Sequence, residues 1–192
     1  MLKHILNLNF LIIKRKIVFI FFLISPLGHA NTGSALDAKV DEAIAIFTSE
    51  VSGAEVFLSQ SAGYLVFPRV IKAGLGIGGE VGEGALRINQ ESAGYYRTIS
   101  ASFGFQFGVQ AKSIIIAFMN EEVLNNFKSS SGWQAGVDAS VAIIDPSILA
   151  AGKQLNNNNF EDPIVAFIFG AKGLMYNLTL EGTKITKIEK YD

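Results

Sequence analysis

Phe67-Pro-Arg-Val-Ile-Lys-Ala-Gly-Leu-Gly-Ile-Gly-Gly-Glu-Val-Gly-Glu-Gly-Ala-Leu-Arg87 is the stretch on which the fold turns. Gly74, Gly76 and Gly79 spell G-x-G-x-x-G. A dinucleotide site needs that turn to open a helix whose N-terminus faces the pyrophosphate, with an acidic residue about 20 positions on. Gly79, Gly82 and Gly84 would break such a helix, and the stretch where the acid belongs reads Gly94-Tyr-Tyr-Arg-Thr-Ile99. No Gly-Lys-Ser/Thr follows, so a Walker loop fails as well. The segment reads instead as strand, in which alternate glycines at 74, 76 and 78 strip one sheet face of side chains. Another backbone, an aromatic ring or a ligand can then approach closely. A tightly packed crossing in the core makes the same demand, and glycine in strands serves packing more often than binding.

Outward from this segment the periodicity stays near two. Tyr64–Phe67 reads as a short strand stopped by Pro68, and Leu75–Val81 and Ala85–Asn89 as two strands separated by Gly82 and Gly84. Gly94–Thr98 follows as another. Phe103, Phe105, Phe107 and Val109 alternate with Gly104, Gln106, Gly108 and Gln110, which puts three phenylalanines on one face that must be covered. The near-continuous apolar run in Lys112–Phe118 predicts a central strand buried on both sides. Asn120-Glu-Glu122 opens a short helix with Val123, Leu124 and Phe127 inward, and Trp133, Ala135, Val137, Ala139 and Val141 alternate again. Trp133 is either a membrane-interface anchor or a core aromatic, and its alternation favours the core. Ile164–Phe169, Leu174–Leu180 and Lys184–Ile188 complete the strands, the last two joined by a tight turn at Leu180-Glu-Gly-Thr183; residues 145–162 form a loop.

Ahead of the strands, Ser34-Ala-Leu-Asp37 has the spacing of a helix N-terminus, and Leu36, Val40, Ile44, Phe47 and Val51 form an apolar stripe behind it. The opposite face carries Asp37, Asp41, Glu42 and Glu50 against Lys39, the reverse of the basic face a membrane-surface helix uses. A second short helix is expected through Val56, Phe57 and Leu58. The total is two or three helices and some nine strands joined mainly by turns. It predicts an α+β fold: a mainly antiparallel β sheet closed or folded on itself, barrel- or sandwich-like, with N-terminal amphipathic helices and one short inserted helix.

Lys14-Arg-Lys16, the apolar run Ile17–Ile24, Pro26 and the small residues of Gly28-His-Ala30 have the order of a secretory signal peptide. A membrane-spanning anchor needs about 20 uninterrupted apolar residues, and this run is too short. The expected organisation is a signal peptide over 1–30, cleaved after Ala30, and a single domain over 31–192, exported to the periplasm or envelope. That domain carries 12 basic against 17 acidic residues, a net charge of −5. Such a surface argues against nucleic acid as a partner, since counterion release needs a basic footprint. With no cysteine in the chain, disulfides, a lipobox anchor and thiolate chemistry are excluded. The only histidines, His4 and His29, lie in the expected signal peptide, so the domain lacks the commonest base and soft metal ligands. Neither G-x-S-x-G nor S-x-x-K occurs. The expectation is a protein with no catalytic residues, no cofactor and no metal.

The motif series resembles the SYLF family. F-P-x-V-x-K-A-G-x-G-x-G-G-x-x-G-E-G at residues 67–84 is followed in order by Gly94-Tyr-Tyr, Ser102-Phe-Gly-Phe-Gln, Ser131-Gly-Trp-Gln-Ala-Gly-Val-Asp-Ala-Ser140 and Gly173-Leu-Met-Tyr-Asn-Leu-Thr-Leu-Glu-Gly-Thr-Lys-Ile185. The resemblance implies a lipid-binding module, with Lys72 as the matched cation beside the glycine strand. Eukaryotic members bind phosphoinositides and, in fungi, take part in actin patches; export of this chain argues against actin as its partner. The implied partner is a membrane lipid, with an envelope protein held by a sheet face or edge as the alternative. The candidate ligand-binding residues are Arg69, Lys72, Gly74, Gly76, Gly78, Gly79, Arg87 and Arg97. Lys112 sits in a neighbouring strand. If the sheet gathers some of these cations, they form a pocket for a lipid phosphate; otherwise they pair with Glu80, Glu83 and Glu91 as ordinary ions. Glu80 and Glu83, an odd number of residues apart, belong on opposite strand faces unless a bulge intervenes, and no partner supports acid-base work by them.

Overall fold

The computed structural model describes residues 32–144, 162–172, 180 and 182–191, without the side chains of 75–77, 102–108 and 171–172. The expected signal peptide, the strand at 174–180 apart from Leu180 and nearly all of the loop at 145–162 lie outside the described residues, as do the side chains of the Phe103–Phe107 row.

Helix α1 spans Gly33–Glu50 and buries Leu36, Val40, Ala43 and Phe47, with Val51 at its end. Each apolar side chain taken fully from water contributes about 1.5–3 kcal/mol, so this stripe fixes how the helix seats. Its cap is Thr32, whose hydroxyl accepts a hydrogen bond from Ala35 N–H at 3.2 Å, and not the expected Ser34. Gly53 (φ 84°) reverses the chain into α2, Ala54–Gln60, which buries Phe57 and Leu58 and leaves Val56 exposed.

The expected short strands from residue 63 to 118 are two long ones. Strand β1 runs Gly63–Ile88 and β2 Glu91–Phe118, antiparallel along their length and joined by Asn89 and Gln90. Both turn residues have positive φ (52° and 69°), the requirement of a two-residue type I′ hairpin. Pro68 does not end the strand. It lies in the register shift between Phe67 and Val70, where a bulge spares it the ladder hydrogen bond it cannot donate. Nor do Gly82 and Gly84 mark a turn: they are strand positions facing Thr98 and Tyr96. From Val70 to Leu86 the two-residue period puts Val70, Lys72, Gly74, Gly76, Gly78, Glu80, Gly82, Gly84 and Leu86 on one face of β1. That face is concave, because β1 folds back on itself. A Cβ on Gly82 would meet Val70 Cγ2 at 2.8 Å and the Arg69 carbonyl at 2.9 Å, and one on Gly84 would strike the Val66 carbonyl and the Phe67 ring. The glycines of the second half of the strand thus receive the first half, and at 82 and 84 the packing explanation is the one realised.

Helix α3, Glu121–Ser129, is capped by Asn120, whose side chain accepts from Val123 N–H at 3.1 Å. Strand β3 is confined to Trp133–Gln134; the expected alternation through Val141 breaks at Gly136 (φ 78°), where the chain turns and leaves Val137 exposed. Strand β4 (Ala142–Ile144) runs parallel to β5 (Ile164–Lys172), an orientation the sequence did not suggest, and β6 is Lys184–Ile188. The expected tight turn before β6 is present, with Thr183 N–H donating to the Leu180 carbonyl at 3.0 Å. The described strands form one sheet in the order β3-β6-β2-β5-β4, with β1 on the other edge of β2. Among the described residues, three helices and this curled, mainly antiparallel half-barrel make the α+β fold expected from the sequence.

Ile114–Phe118 is buried on both sides, as its apolar run predicts. Ile115 and Ala117 meet α1 and α2 through Tyr64, Val66, Phe167 and Phe169. Ile114, Ile116 and Phe118 face the concave side with Leu65, Phe67, Val70 and Leu86, and α3 plugs that end through Leu124 and Phe127. Trp133 belongs to this second core, its side chain edge-on to Phe127.

Candidate functional site

Past Val70 the concave wall changes character. Lys72 and Lys112 both reach Glu80: Lys72 Nζ lies 3.3 Å from Oε1 and Lys112 Nζ 2.7 Å from Oε2. Eight residues of straight strand separate two positions by roughly 26 Å, more than lysine and glutamate side chains can span together. The Lys72–Glu80 contact is therefore a direct consequence of the bend in β1. The Lys112 side chain is only 1% exposed, yet its ammonium, although in ion contact, lies off the geometry of a hydrogen bond and has no hydrogen-bond partner among the described residues. The flanking positions on this wall are polar too, with Thr98 buried. Gly74 and Gly78, both half-buried, lie between Lys72 and Glu80 along β1, and Gly74 faces Gly108 on β2. Gly76 falls in the register irregularity between Leu75 and Ile77, and Gly79 is exposed.

The other candidate cations are not gathered with Lys72. Arg87 points to α1: Nη2 donates to Asp41 Oδ1 at 2.5 Å, Nη1 to Ser92 Oγ at 2.5 Å, and Asp37 Oδ1 lies 3.5 Å from Nη1. Asp37 also accepts from Ser92 and from the Tyr95 hydroxyl at 2.8 Å. This group ties the acidic face of α1 to the hairpin end, so that face is not simply solvated and Arg87 is not paired with Glu91. Arg97 sits directly across from Glu83 and donates to it at 2.8 Å, while Lys190 donates to the other carboxylate oxygen at 2.6 Å. Arg69 is exposed on the bulge. The single basic pocket resolves into a two-lysine cluster on Glu80 and two ion-pair groups elsewhere. Lys112 was legible as a neighbouring cation and Glu80 only as an ordinary ion-pair partner, and the Arg87 group was not legible, because Asp37 and Asp41 lie about fifty positions away and only the topology brings them together.

Glu83 is the carboxylate most affected by its setting. Burial pushes its pKa up, but hydrogen bonds from Lys190 and Arg97, together with their charges, outweigh this and hold it below the usual carboxylate range. A carboxyl depressed in the folded state stabilises it above the unfolded pKa of about 4.3 and loses that contribution as pH falls through the folded value. The Glu83→Gln variant is accordingly expected to be less stable than the wild type at pH 7 and to show a shallower loss of stability below about pH 4.3. Urea unfolding at stepped pH checks this; parallel curves for the two proteins would remove Glu83 from the acid response. Burial also raises the pKa of Tyr96, and of Tyr64 despite the nearby Arg87 charge.

Among the described residues, no group of three or more His, Cys, Asp and Glu side chains is placed to hold a metal ion. No helix among them is long and apolar enough to cross a membrane. A cavity of about 360 Å³ opens near the β3 turn, against Ala135, Val137, Ser140, Val141, Ile143 and Leu180, and includes none of the candidate cations.

A curled half-barrel with two helices on one face, one end of its interior filled by aromatics and a third helix, and the next stretch lined by lysines, defines a small α+β domain built around a sheet surface. Residues 99–191, a little under half of the chain, match the family model Ysc84, described as Las17-binding protein actin regulator, in agreement with the resemblance to the SYLF family. The match takes in the segments at 102–106, 131–140 and 173–185 and begins after the glycine strand. No curated protein matches the chain.

Proposed function

We propose that the protein is an exported lipid-binding module that does no chemistry of its own and acts in the periplasm or at the envelope. The carrying observation is the change along the concave wall, from Leu65, Phe67, Val70, Ile114 and Ile116 to Lys72 and Lys112. The apolar end is filled by the protein's own Phe118, Phe127 and Trp133, which leaves the lysine end for a headgroup. The family likeness, the signal-like residues 1–30 and the missing Cys and His side chains of the exported part support the same reading. The actin role in the family's description needs a cytosolic partner, so only the binding module is carried over to this chain. Co-sedimentation with vesicles tests the proposal: the exported protein is expected to pellet with anionic vesicles and stay in the supernatant with zwitterionic ones. Equal recovery in the supernatant with zwitterionic, anionic and native-lipid vesicles would end it.

A second reading, an envelope scaffold holding a protein partner, is favoured by the outer face of the hairpin. There Val81 and Ile99 sit opposite each other, each about half exposed, with Val109 exposed further along β2. Such an apolar cross-strand pair at the surface suits a partner's apolar side chains. Cross-linking in cells separates the two readings, since a stoichiometric protein partner without co-purified lipid supports the scaffold.

A further inference from the structure

Lys72, Lys112 and Glu80 hold two positive charges and one negative in a setting where side-chain exposure is 10%, 1% and 13%. A buried charge without a counter-charge costs several kcal/mol, and a buried lysine normally satisfies its three donors. Lys112 has a counter-charge, but one it shares with Lys72 on the Glu80 carboxylate, and its ammonium has no hydrogen-bond partner of good geometry among the described residues. Among the described residues the surplus is one unit of charge. From this we infer that the cluster is a site for a monoanionic phosphodiester, in which one phosphate oxygen takes the free donors of Lys112 and the bound charge brings the group to neutrality.

The inference rests on the lipid reading only for the source of the ligand and sharpens it to a chemical class. A phosphomonoester or a polyphosphorylated headgroup, with two or more negative charges, would leave the cluster net negative beside Glu80. A diester, as in a simple anionic glycerophospholipid, does not. Gly74 and Gly78, on the same strand face between Lys72 and Glu80, present no side chain that would block the approach of a diester's two substituents. Glu80 holds the two ammonium groups together and so selects against higher charge.

The test uses the exported protein with three probes: vesicles of phosphatidylcholine with and without phosphatidylglycerol, soluble glycerophosphoglycerol, and inorganic phosphate. Glycerophosphoglycerol is expected to compete with the phosphatidylglycerol vesicles, and inorganic phosphate to compete at least tenfold more weakly. The Lys112→Met variant is expected to lose at least tenfold in affinity for both diester probes. Glu80→Gln, which raises the surplus to two charges, is expected to bind both more tightly and to gain affinity for inorganic phosphate. A purely structural ion cluster predicts no gain in Glu80→Gln, so this variant carries the test even if Lys112→Met does not fold. Undiminished vesicle binding by a folded Lys112→Met protein, or no gain in Glu80→Gln, overturns the inference and leaves the lipid reading standing. Binding of glycerophosphoglycerol without binding of vesicles supports the site and overturns the lipid source.

Discussion

Gly84→Ala is expected to destabilise the domain by about 3 kcal/mol or more, a large part of the 5–15 kcal/mol that holds a typical domain folded. The added Cβ would collide with the Val66 carbonyl and the Phe67 ring. The first of these is backbone within a paired strand and cannot swing aside, so relief requires β1 to unbend. Unbending also draws Glu80 away from Lys72, since their contact exists only through the curl. Gly79→Ala is the matched control. Its Cβ would meet only the Ser100 carbonyl, at 3.4 Å, from an exposed position, and a change within about 0.5 kcal/mol is expected. Urea denaturation of both variants decides the matter: a loss below about 1 kcal/mol for Gly84→Ala would mean that the self-contact of β1 contributes little.

Phe127→Ala is expected to cost about 3–5 kcal/mol, the range for deleting a fully buried phenylalanine whose cavity cannot collapse. Phe127 is the hub of an aromatic group, with ring centroids 4.9 Å from Tyr96, 4.8 Å from Phe118 and 5.8 Å from Trp133. Those three come from both ends of β2 and from β3, so no single neighbour can move into the space without breaking sheet pairing. Trp133 is the only tryptophan of the chain, and its emission reports on the same site. A red shift accompanying the loss of stability is expected. Unchanged emission with a loss under about 1 kcal/mol would show that α3 is held by other contacts.

Elements with a single strong local signal were legible in the sequence. The stripe of α1, the Asn120 cap of α3 and the buried run of Lys112–Phe118 each follow from periodicity or from one capping side chain, and each is found where expected apart from the shift of the first cap from Ser34 to Thr32. The failures share one cause. Glycine and proline read as punctuation at 68, 82 and 84, whereas the strand passes through all three, because a bulge accommodates Pro68 and the fold-back requires bare positions at 82 and 84. The real turn, Asn89-Gln90, carries a weaker signal, since glutamine rarely takes positive φ and only tertiary pairing of the long strands enforces it. The candidate cations met the same limit. Lys72 and Lys112 share one carboxylate because β1 bends, whereas Arg87 is captured by Asp37 and Asp41 on α1. Local sequence names the charges but does not choose their partners.

Strand β1 has a further bearing on how the protein avoids its own kind. Among the described residues β1 pairs only with β2, and the far side of this 26-residue strand has no ladder partner among them; an edge of that length invites a second copy to add itself. The bulge at Pro68 spoils the spacing of that row, and the doubling-back at Gly82 and Gly84 turns part of it inward, where no straight strand can lie alongside. The curvature that shapes the lysine cluster thereby also guards against edge-to-edge aggregation.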